Sequence, residues 1–375
     1  MTAIDPIRPD RPGTAGALTW ALAISTYNRI DILEICVRHA LNQTRMPAEI
    51  VIVDASADWQ GNSRRIIPMA EAAGVPIQYL QAPRKSLPVQ RNHGIKAASS
   101  DILFLIDDDA FMAADCAETI MRIYEADRDQ RIAAVSATDG PMPSDAELVV
   151  AAKTGLTKSE RTTGLLARSG LARFLWVELF MMSAEQIFIP YDGKWHRPDA
   201  ATVAAYASDK VIPQSTIVGY RLTVRRRVAL AEPYDEALMS YAASEDFDAT
   251  YRFSRHGWTV AATEAKLYHH EAMTARLKRK QSTRLAAVNI AYFLRKNMRY
   301  PVRQTVQFFV MMARRLLAEF LKDLLSRRWS FPQFLGLAGA VPGTIAIMRH
   351  DRATLAAFHD PIQRRILGLP AEGTP

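Results

Sequence analysis

Cysteine is nearly missing from this chain of 375 residues, where Cys36 and Cys116 are the only two. They are far apart and form no ligand spacing, which excludes a cysteine-based zinc or iron–sulfur centre. Two buried thiols in a reducing cytoplasm are expected, not a disulfide. Long apolar runs are missing as well. No stretch reaches the ~18 uninterrupted apolar residues that a membrane span requires. The longest candidate, FLGLAGAVPGTIAIM at 334–348, is short and broken by a proline and three glycines. The opening MTAIDPIRPDRPGTAGA has three prolines and no apolar core, which excludes a signal peptide. It reads as a flexible leader over 1–18.

Acidic residues are scarce in one region only. Segment 276–328 holds fourteen Lys and Arg against Glu319 and Asp323, a surplus of twelve in a chain of net charge +8. The remainder is therefore mildly acidic. The segment is helical in pattern, with Val306, Phe309, Val310, Ala313, Leu316, Leu317, Phe320, Leu321 and Leu324 as an apolar stripe and Arg and Lys opposite. Such a helix is expected to lie on an anionic membrane surface. The plainer alternative is a helical subdomain with a basic outer face. Nucleic acid is not expected, because no nucleic-acid module accompanies the charge.

What is present is an alternation of strand and helix signals. Short apolar runs stand at Trp20–Ser25, Glu49–Val53, Ile77–Leu80, Ile102–Ile106 and Ile132–Val135. Leu33, Cys36, Val37, Ala40 and Leu41 show helical spacing between the first two. Runs this apolar suit strands covered on both faces, hence an α/β fold with a mostly parallel central sheet. Polar groups gather at the strand ends: Thr26-Tyr27-Asn28-Arg29, then Asp54, then Asp107, Asp108 and Asp109. In open α/β sheets that edge forms the ligand crevice.

Three adjacent aspartates repel one another unless something positive sits between them. A cluster of this kind at a strand end suits a hard divalent cation, Mg²⁺ or Mn²⁺, bridging to phosphate. The bland alternative is a solvated turn capping the next helix. Glu245 and Asp246 open a helix, as a capping pair or as a general base. His269 and His270 follow a strand and matter only if that strand ends beside the aspartates. Arg91 and Asn92 open the helix before the aspartate strand, either on the surface or with a guanidinium beside phosphate or ribose.

The ordered succession STYNR, VIVDASAD, QRNHGIKAASSDILFLIDDDAF and YRLTVRRRVALAEPYDEALMSYAASEDFDATYRFSRHGW resembles the inverting glycosyltransferases of family 2, over about residues 19–271. The resemblance implies a GT-A fold. It implies donor-nucleotide contacts from Thr26, Tyr27, Asn28, Arg29 and Asp54, with Arg91, Asn92, Asp107 and Asp108 alongside. It implies a cation on Asp107, Asp109 and one of His269 and His270, and a base at Asp246 beside Glu245. The second strand ends in Asp54-Ala55-Ser56, a departure that leaves the nucleotide open. No QxxRW motif of processive synthases stands beside Arg328-Trp329, which points to single-sugar transfer.

The expected reaction moves one sugar from a nucleotide-diphosphate sugar to a hydroxyl on a glycan or lipid-linked acceptor. The expected layout is a catalytic unit over 19–274, with a nucleotide half 19–140 and an acceptor half 141–274. A basic helical region follows over 275–350 and a tail over 351–375. Within the acceptor half, 141–215 reads as a mobile or partner-facing insertion. The expected location is cytoplasmic, peripheral on the inner membrane face. A sugar-nucleotide nucleotidyltransferase is the rival enzyme, but STYNRIDIL lacks that class's glycine-rich loop. A non-catalytic sugar-nucleotide-binding protein would have lost the base or the metal ligands, and both are present.

Overall fold

Strand β1 (Trp20–Thr26) is apolar from Trp20 to Ile24 because both of its faces are covered there. In the computed structural model, which describes residues 17–142, 184–270 and 277–370, Trp20, Leu22 and Ile24 enter one core and Ala21 and Ala23 another. Side chains alternate along a strand, so the two sets take opposite faces of the sheet. Helix α1 (Ile30–Leu41) covers the first face through Leu33, Cys36 and Val37. Helix α3 (Leu87–Ala97) covers the second through Ile95. Each fully buried aliphatic side chain of this kind contributes about 1.5–3 kcal/mol.

Among the described residues nine strands form one sheet in the order β3-β2-β1-β4-β8-β6-β9-β5, with β7 also on β9. They are β2 (Glu49–Asp54), β3 (Ile77–Gln81), β4 (Ile102–Phe104), β5 (Ala110–Met112), β6 (Ile132–Asp139), β7 (Val211–Pro213), β8 (Leu222–Arg225) and β9 (Trp258–His269). Pairing is parallel through β3-β2-β1-β4 and between β6 and β9. It is antiparallel where β8 meets β4 and β6, and where β9 meets β5 and β7. Helix α2 (Trp59–Ala72) links β2 to β3, and α4 (Cys116–Ala126) follows β5. Both cysteines are buried and free. This is the α/β class expected.

The C-terminal region is a separate helical core. Helix α6 (Arg279–Asn297) runs through its centre, with α7 (Pro301–Leu325), α8 (Pro332–Arg349) and α9 (Leu355–Leu367) around it. Gly336 lets α8 approach closely, since a Cβ there would stand 2.6 Å from the Lys280 carbonyl oxygen. The short apolar run at 334–348 is thus packed between helices. Among the described residues no helix is long and apolar enough to cross a membrane.

Three expectations change. The tail expected over 351–375 contains α9, which buries Leu355, His359, Gln363 and Ile366. Residues 143–183 of the expected insertion lie outside the described residues, as does the leader up to residue 16. Of the described remainder, Phe188 and Tyr191 are buried in the helical core. The third change concerns what lies opposite the apolar stripe of α7, where Arg and Lys were expected. The helix's inner face carries Phe308, Met311, Met312 and Ala318, while much of the anticipated apolar stripe faces outward.

Candidate active site

Parallel pairing delivers the polar strand ends to one edge. Thr26 closes β1 beside Asp54 of β2, and the chain leaving β4 enters Asp107, Asp108 and Asp109. Strand β9 runs antiparallel to β5 and sets His269 opposite Ala110. The His269 Nε2 atom therefore stands 3.2 Å from an Asp109 carboxylate oxygen. Helix α5 (Glu245–Phe253) supplies the remaining acids from its first turn.

Two arginines hold these carboxylates together. Arg29 donates to Asp108 at 3.0 Å and to Asp109 at 3.4 Å, and the Thr26 hydroxyl donates to Asp108 at 2.7 Å. Arg91 is buried and donates to Glu245 at 2.7 Å and to Asp107 at 2.9 Å. Its guanidinium thus ties the strand-end aspartates to α5.

Burial still dominates the acids' proton affinity. It pushes Asp108 up to about 7, against Arg29 and with added repulsion from Asp109. It pushes Glu245 up to about 8, against Arg91 and with added repulsion from Asp246. Asp246 is raised by burial too, opposed first by Arg91. Its carboxylate accepts the backbone N–H of Gly219 at 3.3 Å and that of Phe247 at 2.9 Å.

Two hollows meet at Asp107. The smaller, about 110 Å³, is bordered by Thr26, Tyr27, Arg29, Lys85, Asp107 and Asp108. The larger, about 390 Å³, is bordered by Arg91, Asp107, Tyr220, Glu245, Asp246 and His269. Tyr241 borders both. Asp107, Asp109 and His269 each offer a ligand atom, all within 4.8 Å of one another. Two carboxylates and an imidazole at this spacing fit a divalent cation.

Residues 21–178 match the family model described as Glycosyl transferase family 2. This region belongs to glycosyl transferase family 2. The uncharacterized glycosyltransferase YwdF of Bacillus subtilis (strain 168) is 33% identical over 106 residues, covering 28% of this chain and 38% of that protein. The chain thus spans well under two thirds of that curated relative. The crystal structure of GalNAc-T7 with UDP, GalNAc and Mn²⁺ is similar at a TM-score of 0.47 and 13% identity, over 76% of this chain and 51% of the other. The mannosyltransferase PcManGT from Pyrobaculum calidifontis, in complex with GDP-Man and Mn²⁺, has a TM-score of 0.45 and 12% identity, over 94% and 86%. Likenesses this loose add nothing about individual residues.

Within the family 2 region and the strands that complete its site, the expected residues are placed unequally. Thr26, Tyr27, Arg29, Asp107 and Asp108 border the smaller hollow. Asn28 is exposed at φ 53° and donates its backbone N–H to the Ser56 hydroxyl at 2.7 Å. Asp54 is wholly buried and accepts from Ser56 N, Asn62 and Tyr79 at 2.7, 2.8 and 2.7 Å. With both oxygens engaged and neither hollow touching it, Asp54 shapes the turn from behind.

Arg91 is no surface residue, and its guanidinium is already occupied by two carboxylates. A buried cation needs such partners. Asn92 is a correction. Its side chain turns away and exchanges hydrogen bonds with the backbone of Tyr234 at 2.8 and 2.9 Å. The next position on a helix points about 100° away, which separates it from Arg91. His270 stacks on Phe111 with ring centroids 6.0 Å apart, on the opposite face of the strand from His269. Alternation therefore brings His269 to the aspartates.

The structure also adds residues that the sequence reading passed over. The Lys85 ammonium lies 3.6 Å from the Tyr27 ring centroid; a basic group in the loop after β3 was the available signal. Gly219 makes room for Arg91, because a Cβ there would fall 2.6 Å from Nη2. The loop leading into α5 holds Ser240, Ala242 and Ser244 at positive φ, a strained conformation for such residues. It is braced from the helical core by Asn289, which donates to the Ala243 carbonyl at 2.9 Å. Gln363 accepts from Met239 N and donates to the Ala237 carbonyl, both at 2.9 Å.

Proposed function

We propose that this chain moves a single sugar from a nucleotide-diphosphate donor to a hydroxyl acceptor on a glycan or lipid-linked carrier, with inversion at the anomeric carbon. One observation carries the reading: two hollows meet at Asp107, the smaller with aromatic and basic walls and the larger with Asp246 in its wall. Thr26, Tyr27, Arg29 and Lys85 would receive the nucleotide side. Asp107, Asp109 and His269 would hold a Mg²⁺ or Mn²⁺ ion, which supplies Lewis-acid neutralisation of the leaving diphosphate.

Asp246 is the better base of the acidic pair. Glu245 is tied to Arg91 at 2.7 Å, whereas Asp246 is steadied by two backbone N–H groups. Asp246 would take the acceptor hydroxyl's proton while that oxygen attacks opposite the leaving group, a contribution of about 10²–10⁴-fold. Attack from that side inverts the anomeric centre. Arg91 holds Asp107 and Glu245 in register, so the two sides of the cleft cannot drift apart.

Donor hydrolysis across a panel of nucleotide-diphosphate sugars tests the reading. Turnover is expected with at least one donor, only with Mg²⁺ or Mn²⁺ present. Asp109→Asn is expected to raise the cation concentration required by about tenfold or more. Hydrolysis that survives chelation, or none with any donor, would contradict the proposal.

A further inference from the structure

We propose that the outer face of α7 docks this protein on an anionic lipid surface. The face is built from Val302, Val306, Val310, Leu317, Phe320 and Leu324, all exposed. Val302 is 81% exposed and Leu317 52%, and Trp329, just past the helix end, is 70% exposed. Steps of three and four residues, with one of seven that spans the exposed Ala313, keep these side chains on one stripe. Single exposed apolar residues are ordinary on a protein surface, but a continuous stripe along a long helix marks an interaction site.

Charge decides the occupant. Between residues 277 and 349 the only carboxylates are Glu319 and Asp323, and both are buried on the inner face of α7. Asp323 is used there, accepting from the backbone N–H groups of Gln333 and Phe334 at 2.8 and 3.1 Å at the start of α8. Around the stripe, Arg299, Arg303, Arg314 and Arg327 are exposed. Every exposed charge on this described segment is therefore positive.

A second copy of the chain would set these arginines against their own kind, with no carboxylate on the segment to meet them. A nucleic acid would leave the aliphatic stripe uncovered. An anionic bilayer satisfies both features, taking the apolar side chains and Trp329 at the acyl boundary and the arginines at the headgroups. The inference goes beyond the proposed reaction and does not depend on it.

Sedimentation of the full chain with vesicles tests it, using phosphatidylcholine alone against phosphatidylcholine with phosphatidylglycerol. Binding is expected only to the anionic vesicles and should weaken with salt. Each cation near such a surface is worth about fivefold in partition, so Arg303→Glu with Arg314→Glu should cut binding by well over that factor. Leu317→Glu should also cut it. Because these positions are exposed, melting curves should be unchanged, which separates lost docking from lost folding. Asp246→Asn should bind vesicles like the parent, keeping this test apart from the catalytic one.

Three results would overturn the proposal: no preference for anionic vesicles, charge variants that bind like the parent, or tighter capture by an oligonucleotide than by the vesicles. A lipid-free dimer that Leu317→Glu dissociates would assign the stripe to a second copy instead.

Discussion

Arg91 shows how a single residue can tie distant parts of a site together. Its two arms reach Asp107 and Glu245, 16 and 154 residues away in sequence. Nothing local in QRNHGIK signals the longer of these links, so the pairing was not legible before the fold. The aspartates were legible, because three charges at the end of a buried strand demand a reason. Their consequence is a pH prediction. Asp108 has an ordinary value of 3.8 and is pushed to about 7 by burial. The folded state therefore holds a proton that the unfolded chain has released, and stability falls as pH rises between those values. Its contribution is fully present below 3.8 and lost as pH passes through about 7. Glu245 acts with the same sign. Buried His359, lowered to about 3 by desolvation, acts with the opposite sign on the acid side. Urea midpoints of the metal-free protein should thus decline less across that range in Asp108→Asn than in the parent. Equal slopes would mean that the buried carboxyl does not carry the proton.

Among elements, the strands that build the site edge were readable because burial on both faces writes itself as continuous apolar runs. Helix α7 was harder. It carries two apolar faces, and periodicity alone cannot say which one meets the core when the inner one includes Glu319 and Asp323. Helix α9 was missed because Pro361 and scattered arginines disguise it, yet its Gln363 reaches the backbone of the loop before α5. Gln363→Leu would leave the buried N–H of Met239 without its acceptor, a loss of about 1–3 kcal/mol. Urea denaturation should register that loss, and turnover should fall while donor affinity holds. A variant as stable and active as the parent would show that α9 merely sits beside the loop.

At the level of the whole molecule, a sheet-based unit carries the acids and a helical unit braces the loop that presents Asp246. The helical unit also turns a basic and apolar face outward. Division of this kind lets chemistry and placement vary separately, since the outward residues of α7 and the cleft residues are different sets. The central claim is that Asp246 is the proton acceptor across the cleft from the cation ligands. Turnover of Asp246→Asn, measured together with its calorimetric affinity for nucleoside diphosphate and Mn²⁺, tests that claim most directly. The account predicts affinity close to the parent's and turnover lower by about 10²–10⁴-fold. Turnover near the parent's rate would contradict it.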